Sequence, residues 1–531
     1  MEECLLLLPF CLLLCIDNIL YQGIMSVNQL KAGAFLSYLI IGINTFIGLV
    51  YTPFMLRTMG QSEYGLYSLA ASVIAYLTVL DLGFGNAIVR YTSKYRAEGK
   101  VKEQEEMFGM FLLLYSFISI IAIVVGILLY THVEQIFSRA MNADEIFKVQ
   151  VMMLLLTMNL AFTFPMSLWG SIITAYENFI FQRIISIVRI VMNPAVMVIF
   201  LLFGYKAITM VVITTVFNVL TLIANYVYCR NRLHIRVRFG KFKWGFLKEV
   251  SVYSFWIFLN IIMDRIYWST GQFVLGIYRG AAMVAVYAVA IQLQQMFMMF
   301  SGAISNVFLP RITSMVSHHR SDEEISDLFI RTGRIQYIVM SLILSGFIVF
   351  GRSFIILWAG EEYEEAYIIA LLFFVPLTVP LIQNVGISIL QARNQMKFRS
   401  LLYLCISILS LGFSIFGAKQ YGAIGCAVAT AGALILGQII IMNIYYQKKQ
   451  RLNIVLFWKE IGRMSVVPFL VVIVFIKLTP ISIFSSEVMN MIVGITLFIL
   501  VYIPSCWAFS MNKHEREIIL APLQNIKNRF S

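Results

Sequence analysis

Charge is scarce in this chain. Only 13% of its 531 residues are Asp, Glu, Lys or Arg, while 60% are hydrophobic. A soluble domain carries about 25% charged residues, so an ordinary water-soluble globule is excluded and a polytopic membrane protein is left. Acidic residues are the scarcer sign, 27 against 40 basic ones. The basic excess sits in short loops, the pattern of cytoplasmic loops rather than of a nucleic-acid footprint. Cysteine is sparse too. Cys4, Cys11, Cys15, Cys229, Cys405, Cys426 and Cys506 show no metal-ligand spacing and lie mostly in apolar runs, so they read as buried free thiols with no disulfide framework. All five histidines (His132, His234, His318, His319, His514) fall in loops or tails. Without a histidine in a span, a metal motif or a Gly-rich phosphate loop, neither cofactor nor metal is expected. A membrane enzyme, which needs an acid–base group beside the reacting bond, is disfavoured.

Between the charged loops lie fourteen apolar segments of spanning length, at about 33–56, 64–86, 108–130, 147–172, 180–203, 207–229, 250–276, 282–308, 330–350, 366–388, 400–418, 423–446, 461–479 and 488–509. Each is long enough to cross a ~30 Å hydrocarbon core as a helix, which satisfies its own backbone there. The predicted class is therefore an all-α polytopic membrane protein. Loop 87–106 carries Arg90, Lys94, Arg96, Lys100 and Lys102, and loops 230–249, 389–399 and 447–460 are also basic. Loop 131–146 instead carries Glu134, Asp144 and Glu145, and 351–365 carries Glu361, Glu362, Glu364 and Glu365. Basic loops stay cytoplasmic, so the alternation puts both termini in the cytoplasm. Residues 1–24 fit poorly. The run Leu5 to Cys15 follows Glu2 and Glu3, lacks the basic start of a signal peptide and is short for a span. Met25 opens a conventional start, so 1–24 is expected to be a non-native or dispensable extension.

The chain repeats itself. A shift of 220 residues lays Lys31 to about Tyr115 on 251–335, with Phe35 on Phe255, Gly60 on Gly280, Tyr67 on Tyr287 and Asn86 on Asn306. Later, a shift of 216 lays Tyr205, Ala207 and Thr214 on Tyr421, Ala423 and Thr430. Span limits and loop charge fall in step. The expected organisation is an N-lobe of six spans at 25–229, a basic cytoplasmic linker at 230–249, a C-lobe of six spans at 250–446, and two additional spans with a cytoplasmic tail at 447–531. An even-numbered repeat keeps both lobes in one orientation, in a pseudo-twofold arrangement.

The stretch Leu56-Arg-Thr-Met-Gly60, then Glu63-Tyr-Gly-Leu-Tyr67, Asp81-Leu-Gly-Phe-Gly85 and Arg90-Tyr-Thr, resembles the opening of the polysaccharide transporter family, the Wzx-type flippases of lipid-linked oligosaccharides. These share a superfamily and a MATE-like fold with the multidrug antiporters and the lipid II flippases. Gly276-Ile-Tyr-Arg-Gly280, followed by Val286-Tyr-Ala-Val-Ala290, fits the same pattern in the second half. The resemblance runs from Met25 through essentially the whole chain. It implies movement of an oligosaccharide on polyprenyl pyrophosphate from the inner to the outer leaflet of a bacterial inner membrane, by alternating access, for surface polysaccharide export. It also implies membrane lipid as surroundings, coupling to H+ or Na+, and a polysaccharide polymerase and glycosyltransferases as partners, with no nucleic acid. Elementary chemistry asks for the same thing: a sugar–pyrophosphate head cannot cross hydrocarbon without a hydrated, cationic passage.

Asp264 and Arg265 stand out because they lie in the middle of an apolar span, where charge costs several kcal/mol and normally faces water or a partner. Asn260, Asp264, Trp268 and Gly271 share one helical face by spacing, and Arg265 lies about 100° away. The functional reading sets Arg265 on phosphate and Asp264 on a coupling cation or proton; the plain alternative is an ion pair bracing the lobes. The repeat partner of Asp264 is Asn44, polar but uncharged. Arg183 and Arg189 on the fifth span, before Asn193-Pro194, suit an entry path for pyrophosphate because guanidinium binds phosphate oxygens in pairs. For Arg183 the plain alternative is snorkelling to headgroups. Gln292, Gln295, Gln383 and Asn384 suit sugar hydroxyls or interhelical glue equally. Asp81 and Arg90 read as a turn and interface anchor. The rival function is a MATE-type cation-coupled drug antiporter, but a cationic cargo favours carboxylates, and the intramembrane charges lean basic.

Overall fold

The computed structural model describes residues 29–240, 244–318, 320–393, 395–478, 485–517 and 520. The expected extension 1–24 lies outside them. The described residues are helical, with no strand among them. They fall into two compact units, Met1–Ala288 and Val289–Ser531.

The first unit holds α1 (Gln29–Met59), α2 (Gln61–Leu77), α3 (Phe84–Ala97), α4 (Val101–Phe137), α5 (Ala143–Ala175), α6 (Phe179–Leu202), α7 (Ala207–Asn231) and α8 (Trp244–Tyr278). Helix α9 (Ala281–Ser317) starts in it. Local chemistry sets the ends. Asn142 accepts from the Glu145 N–H at 2.9 Å while the Glu145 carboxylate accepts from the Asn142 N–H at 3.2 Å, a reciprocal cap that starts α5. Asp81 accepts from Tyr115 Oη at 2.9 Å and from the backbone of Gly83 and Gly85. It thus anchors the break between α2 and α3, where Leu82 and Gly83 take φ of 54° and 73°. The core beside this break is aromatic, with Phe84 6.0 Å from Phe111 and 6.3 Å from Tyr115 between ring centres.

The second unit holds the rest of α9, α10 (Asp322–Trp358), α11 (Ala366–Ile382), α12 (Val385–Ala392), α13 (Met396–Leu434), a π-helical segment Ile435–Ile441, α14 (Met442–Lys448), α15 (Ile454–Leu478) and α16 (Glu487–Ser505). Ser321 caps α10 by accepting from the Glu324 N–H at 3.2 Å. Helix α13 is a hairpin: Gly422 has φ 62° and ψ −137°, outside the helical region. Beyond it the chain turns back, so that a Cβ on Gly417 would lie 2.5 Å from the Gly425 carbonyl oxygen. Only glycine permits this approach.

The expected count of fourteen spans is not confirmed. Among the described residues, 11 helices are long and apolar enough to cross a membrane, or 12 if the pair α11 and α12, bent by 45°, is one span. The stretch Met396–Lys448 enters that count as a single helix, although Gly422 divides it between the expected spans 400–418 and 423–446. Helix α8 is not in the count; it carries Lys248, Glu249, Asp264 and Arg265. One cysteine departs from expectation. Cys229, Cys426 and Cys506 are buried, but Cys405 is exposed, on an arm whose Leu401 and Leu409 also face outward. Cys4, Cys11 and Cys15 lie outside the described residues.

The repeat has structural counterparts. Gly60 and Gly280 take φ of 82° and 84°, each between two consecutive helices. Helices α4 and α10 are both 37 residues long.

Candidate functional site

Polar side chains of the first unit do two different jobs. One group ties helix ends together. Glu63, buried at the start of α2, accepts from Lys148 Nζ at 2.7 Å and from the Ala207 N–H at 3.3 Å. One carboxylate thereby joins α2, α5 and the uncapped first turn of α7. Ser62 donates to Glu145 at 2.6 Å beside it.

The second group lies halfway along the helices. Helices α1 and α6 run parallel: a Cβ on Gly33 would lie 2.7 Å from Phe179 Cβ, and Tyr51 Oη reaches Met197 Sδ at 3.0 Å. Both pairs share one sequence offset, so Asn44 lies level with Ile190, between Arg189 and Asn193. Helix α5 runs antiparallel to α6, with Gln182 Nε2 donating to the Gly170 carbonyl at 2.7 Å and to Thr174 Oγ1 at 2.9 Å. Asn193 is about 16 Å beyond Gln182, and Asn159 is the same distance back from Gly170. They are therefore at one depth. Asn218 of α7 donates to Asn159 Oδ1 and Thr163 Oγ1, both at 2.8 Å, and completes the layer.

Asn44, Asn159, Thr163, Arg189, Asn193 and Asn218 thus form a polar stratum near the centres of four apolar helices. Asn44 and Arg189 are exposed and the other four half-buried. Among the described residues Asn193 Oδ1, which is buried, has no hydrogen-bond partner. Among the described residues no carboxylate pairs with Arg189. Such a stratum favours anions and hydroxyls over cations. Arg183, also exposed, lies on the same helix about 9 Å nearer its start.

The α8 residues lie near the middle of their own helix, which packs chiefly on α2, α3 and α4. Asp264 is exposed, while Asn260, Arg265 and Trp268 are half-buried. Gly271 is buried against Tyr287; a Cβ there would lie 2.5 Å from the ring carbon Cζ. The polar face therefore stops at Trp268. Thr270 faces another way and joins Tyr76 Oη at 2.6 Å. Among the described residues no carboxylate pairs with Arg265, so Asp264 and Arg265 are neighbours without an ion pair between them.

In the second unit Gln292 is half-buried and Gln295 exposed on α9. Gln383 is only 2% exposed and donates to Asn443 Oδ1 at 2.8 Å, an atom that also accepts from Trp458 Nε1 at 3.0 Å. It works as glue at the bend where α11 passes into α12, beside Asn384.

Residues 30–316 match the family described as polysaccharide biosynthesis protein. The chain belongs to that family. A putative O-antigen transporter of Shigella flexneri is 20% identical over 414 residues, covering 76% of this chain and 94% of that protein. An uncharacterised membrane protein of Bacillus subtilis, EpsK, is 21% identical over 427 residues, covering 76% and 81%. Among solved structures, the lipid II flippase MurJ in an inward closed conformation superposes with TM-score 0.66 at 16% identity, over 91% of this chain and 99% of that one. An inward-facing MATE-family multidrug transporter superposes with TM-score 0.61 at 13% identity, over 80% and 99%. These likenesses show the fold: a multi-pass membrane protein of the MurJ and MATE type.

In this family member the sequence marks Asn44 and Arg189 separately, and the structure sets them level. Asn159, Thr163 and Asn218 carry no signal in the sequence beyond the four-residue spacing of Asn159 and Thr163. Glu63 lies inside the Glu63-Tyr-Gly-Leu-Tyr67 motif, but its role shows only in the structure.

Proposed function

We propose that this protein is a flippase that moves an oligosaccharide linked to polyprenyl pyrophosphate from the inner to the outer leaflet of a bacterial inner membrane, for surface polysaccharide export. The observation that carries the reading is the mid-depth stratum around Arg189, in a chain that belongs to the polysaccharide biosynthesis family. The stratum is amide-rich, cationic and without a paired carboxylate among the described residues. Amides and hydroxyls match sugar hydroxyls, and a guanidinium matches phosphate oxygens. The lipid tail stays in hydrocarbon, so only the head needs the polar route. Arg265, Arg189, Arg183, Asn260, Asn44, Gln292 and Gln295 are the side chains we assign to that route, with Asp264 as the acceptor of a coupling H+ or Na+.

The relatives support this reading: one is named an O-antigen transporter and one structural neighbour is a lipid II flippase. A MATE-type antiporter shares the fold, but a cationic cargo would meet Arg189 at mid-depth with an unfavourable field. The test is a clean deletion in a strain with no second flippase. Lipid-linked oligosaccharide should accumulate on the cytoplasmic leaflet and surface glycan should fall. Normal glycan export in that strain would sink the assignment, and dye efflux by the purified protein would revive the antiporter.

A further inference from the structure

The second unit carries an apolar cleft that the polar route does not use. It runs along the hairpin whose arms turn at Gly422, with a volume of about 690 Å³. Gly417, Gly425 and Gly432 form its floor, and Leu409, Phe413 and Phe416, each more than half exposed, form one wall. The lining continues from Tyr421 at the turn to Ile441 in the π-helical segment. At 1.5 Å per residue that is roughly 30 Å, about the full hydrocarbon thickness. Such π-helical segments recur at functional sites.

We propose that this cleft holds the polyprenyl tail of the lipid-linked cargo; the proposal rests on the flippase reading above. Length is the first argument. The cleft is about as long as both leaflets together are deep, whereas a phospholipid acyl chain spans one. Charge is the second. From Met396 to Lys448 there is no acidic residue, and exposed lysines stand at both ends, Lys419 beside the turn and Lys397 at the base. A lipid that changes leaflets presents its pyrophosphate first at one end and then at the other, and each end offers it a cation. A lipid resident in one leaflet needs only one. Shape is the third argument. A floor of glycines is notched, and notches accept the methyl branches of an isoprenoid at van der Waals distance.

Gly432 gives a clean test because nothing lies within 4 Å of a Cβ built there. Gly432→Phe fills the cleft without disturbing the hairpin. Gly412 is equally open, is exposed and lies outside the lining, so Gly412→Phe is the control. The full chain, reconstituted in lipid nanodiscs, is photolabelled with polyprenyl pyrophosphate carrying a photoreactive group midway along its tail. Parallel samples use phosphatidylglycerol carrying the same group on an acyl chain. Polyprenyl label is expected on peptides containing Phe413 and Phe416, displaced by unlabelled polyprenyl pyrophosphate but not by phosphatidylglycerol. Free and docked tails both sit in hydrocarbon, so fit alone sets the preference, and Gly432→Phe should lower the label about fivefold. Gly412→Phe should leave it unchanged. Equal, non-displaceable labelling by both lipids would make the cleft ordinary lipid surface and overturn the proposal. Chain-to-chain dimers abolished by Gly432→Phe would make it a self-association face and overturn it too. Label confined to the first unit would overturn the cleft and leave the flippase reading standing, whereas no polyprenyl label anywhere on the protein would count against both.

Discussion

At the scale of single residues, Arg265 offers the sharpest prediction. Its guanidinium is half-buried near the middle of α8, and among the described residues no carboxylate pairs with it. A pyrophosphate head would give it two charge-assisted hydrogen bonds. Arg265→Ala should therefore cut flipping at least about a hundredfold, at roughly 1.5–3 kcal/mol for each of the two charged hydrogen bonds, while the protein still accumulates in the membrane. Arg265→Lys keeps the charge without the planar fork and should impair transport partly. If Arg265 only braces Asp264, the alanine variant should lower the melting temperature in detergent, and removing both charges should restore it. A stable, fully active Arg265→Ala protein would eliminate the substrate role. Glu63 makes the opposite kind of prediction. It is buried and joins three helix ends, so Glu63→Ala should cost about 1–3 kcal/mol, read as a lower melting temperature, without changing which lipid is flipped. Sequence spoke clearly about Arg265, because a charge inside an apolar run is conspicuous. It was silent about Glu63, because a carboxylate at a span end looks like any interfacial residue until its partners, 85 and 144 positions away in sequence, are known.

At the scale of elements, α10 shows how the two final helices attach to the second unit. Arg334 is 6% exposed. Its Nε and Nη2 donate to the Glu515 carboxylate at 2.6 and 3.1 Å, its Nη1 to Glu460 at 2.5 Å, and its Nη2 to the Ser510 carbonyl at 3.2 Å. One and two turns further on, Tyr337 donates to Ser465 at 2.7 Å and Ser341 accepts from Tyr502 at 2.9 Å. These residues share one face of α10 and grip α15 and α16 in turn. Breaking a buried pair by removing one partner costs about 3–5 kcal/mol. Arg334→Ala leaves the buried Glu515 without its cation and Glu460 with only Arg463 at 3.8 Å, whereas Glu515→Ala leaves Arg334 still bonded to Glu460. Detergent melting should therefore fall more for Arg334→Ala than for Glu515→Ala, and an Arg334→Ala protein that melts like the unmutated one would show that the ladder holds nothing. In the sequence the last two spans stand outside the repeat as an addition. Spacing along α10 shows a polar stripe, but nothing in the sequence says that the stripe meets residues more than a hundred positions away. The hairpin at Gly422 was legible for the converse reason: two adjacent apolar runs flank a Lys-Gln-Tyr-Gly turn, and the chain has few ways to join them.

At the scale of the whole molecule, the alternation of loop charge carries further than any single contact. Lysine and arginine near span ends resist translocation, by an amount that depends on position rather than on net charge. The loops 87–106, 230–249 and 447–460 are basic, while 131–146 and 351–365 carry clusters of glutamate and aspartate. The two halves also share local features: α4 and α10 match in length, and Gly60 and Gly280 both take a positive φ. The number of spans is where sequence and structure part. Apolar length alone gives fourteen, whereas among the described residues the helices long and apolar enough number 11 or 12; α8 falls outside them, and Met396–Lys448 is one of them although it turns back at Gly422. The difference has a direct test, because an error of one crossing inverts everything downstream of it. Reporter fusions after residues in 87–106, 230–249 and 447–460 should be cytoplasmic, and fusions in 131–146 and 351–365 external. A fusion at Gln420, beside the Gly422 turn, should be external as well. If α13 crossed once instead of turning back, 447–460 would lie on the side opposite 389–399, and the fusions in 447–460 would report outside. A cytoplasmic signal at Gln420, or an external one at Lys243, would overturn the arrangement on which both the cationic route and the lipid cleft depend.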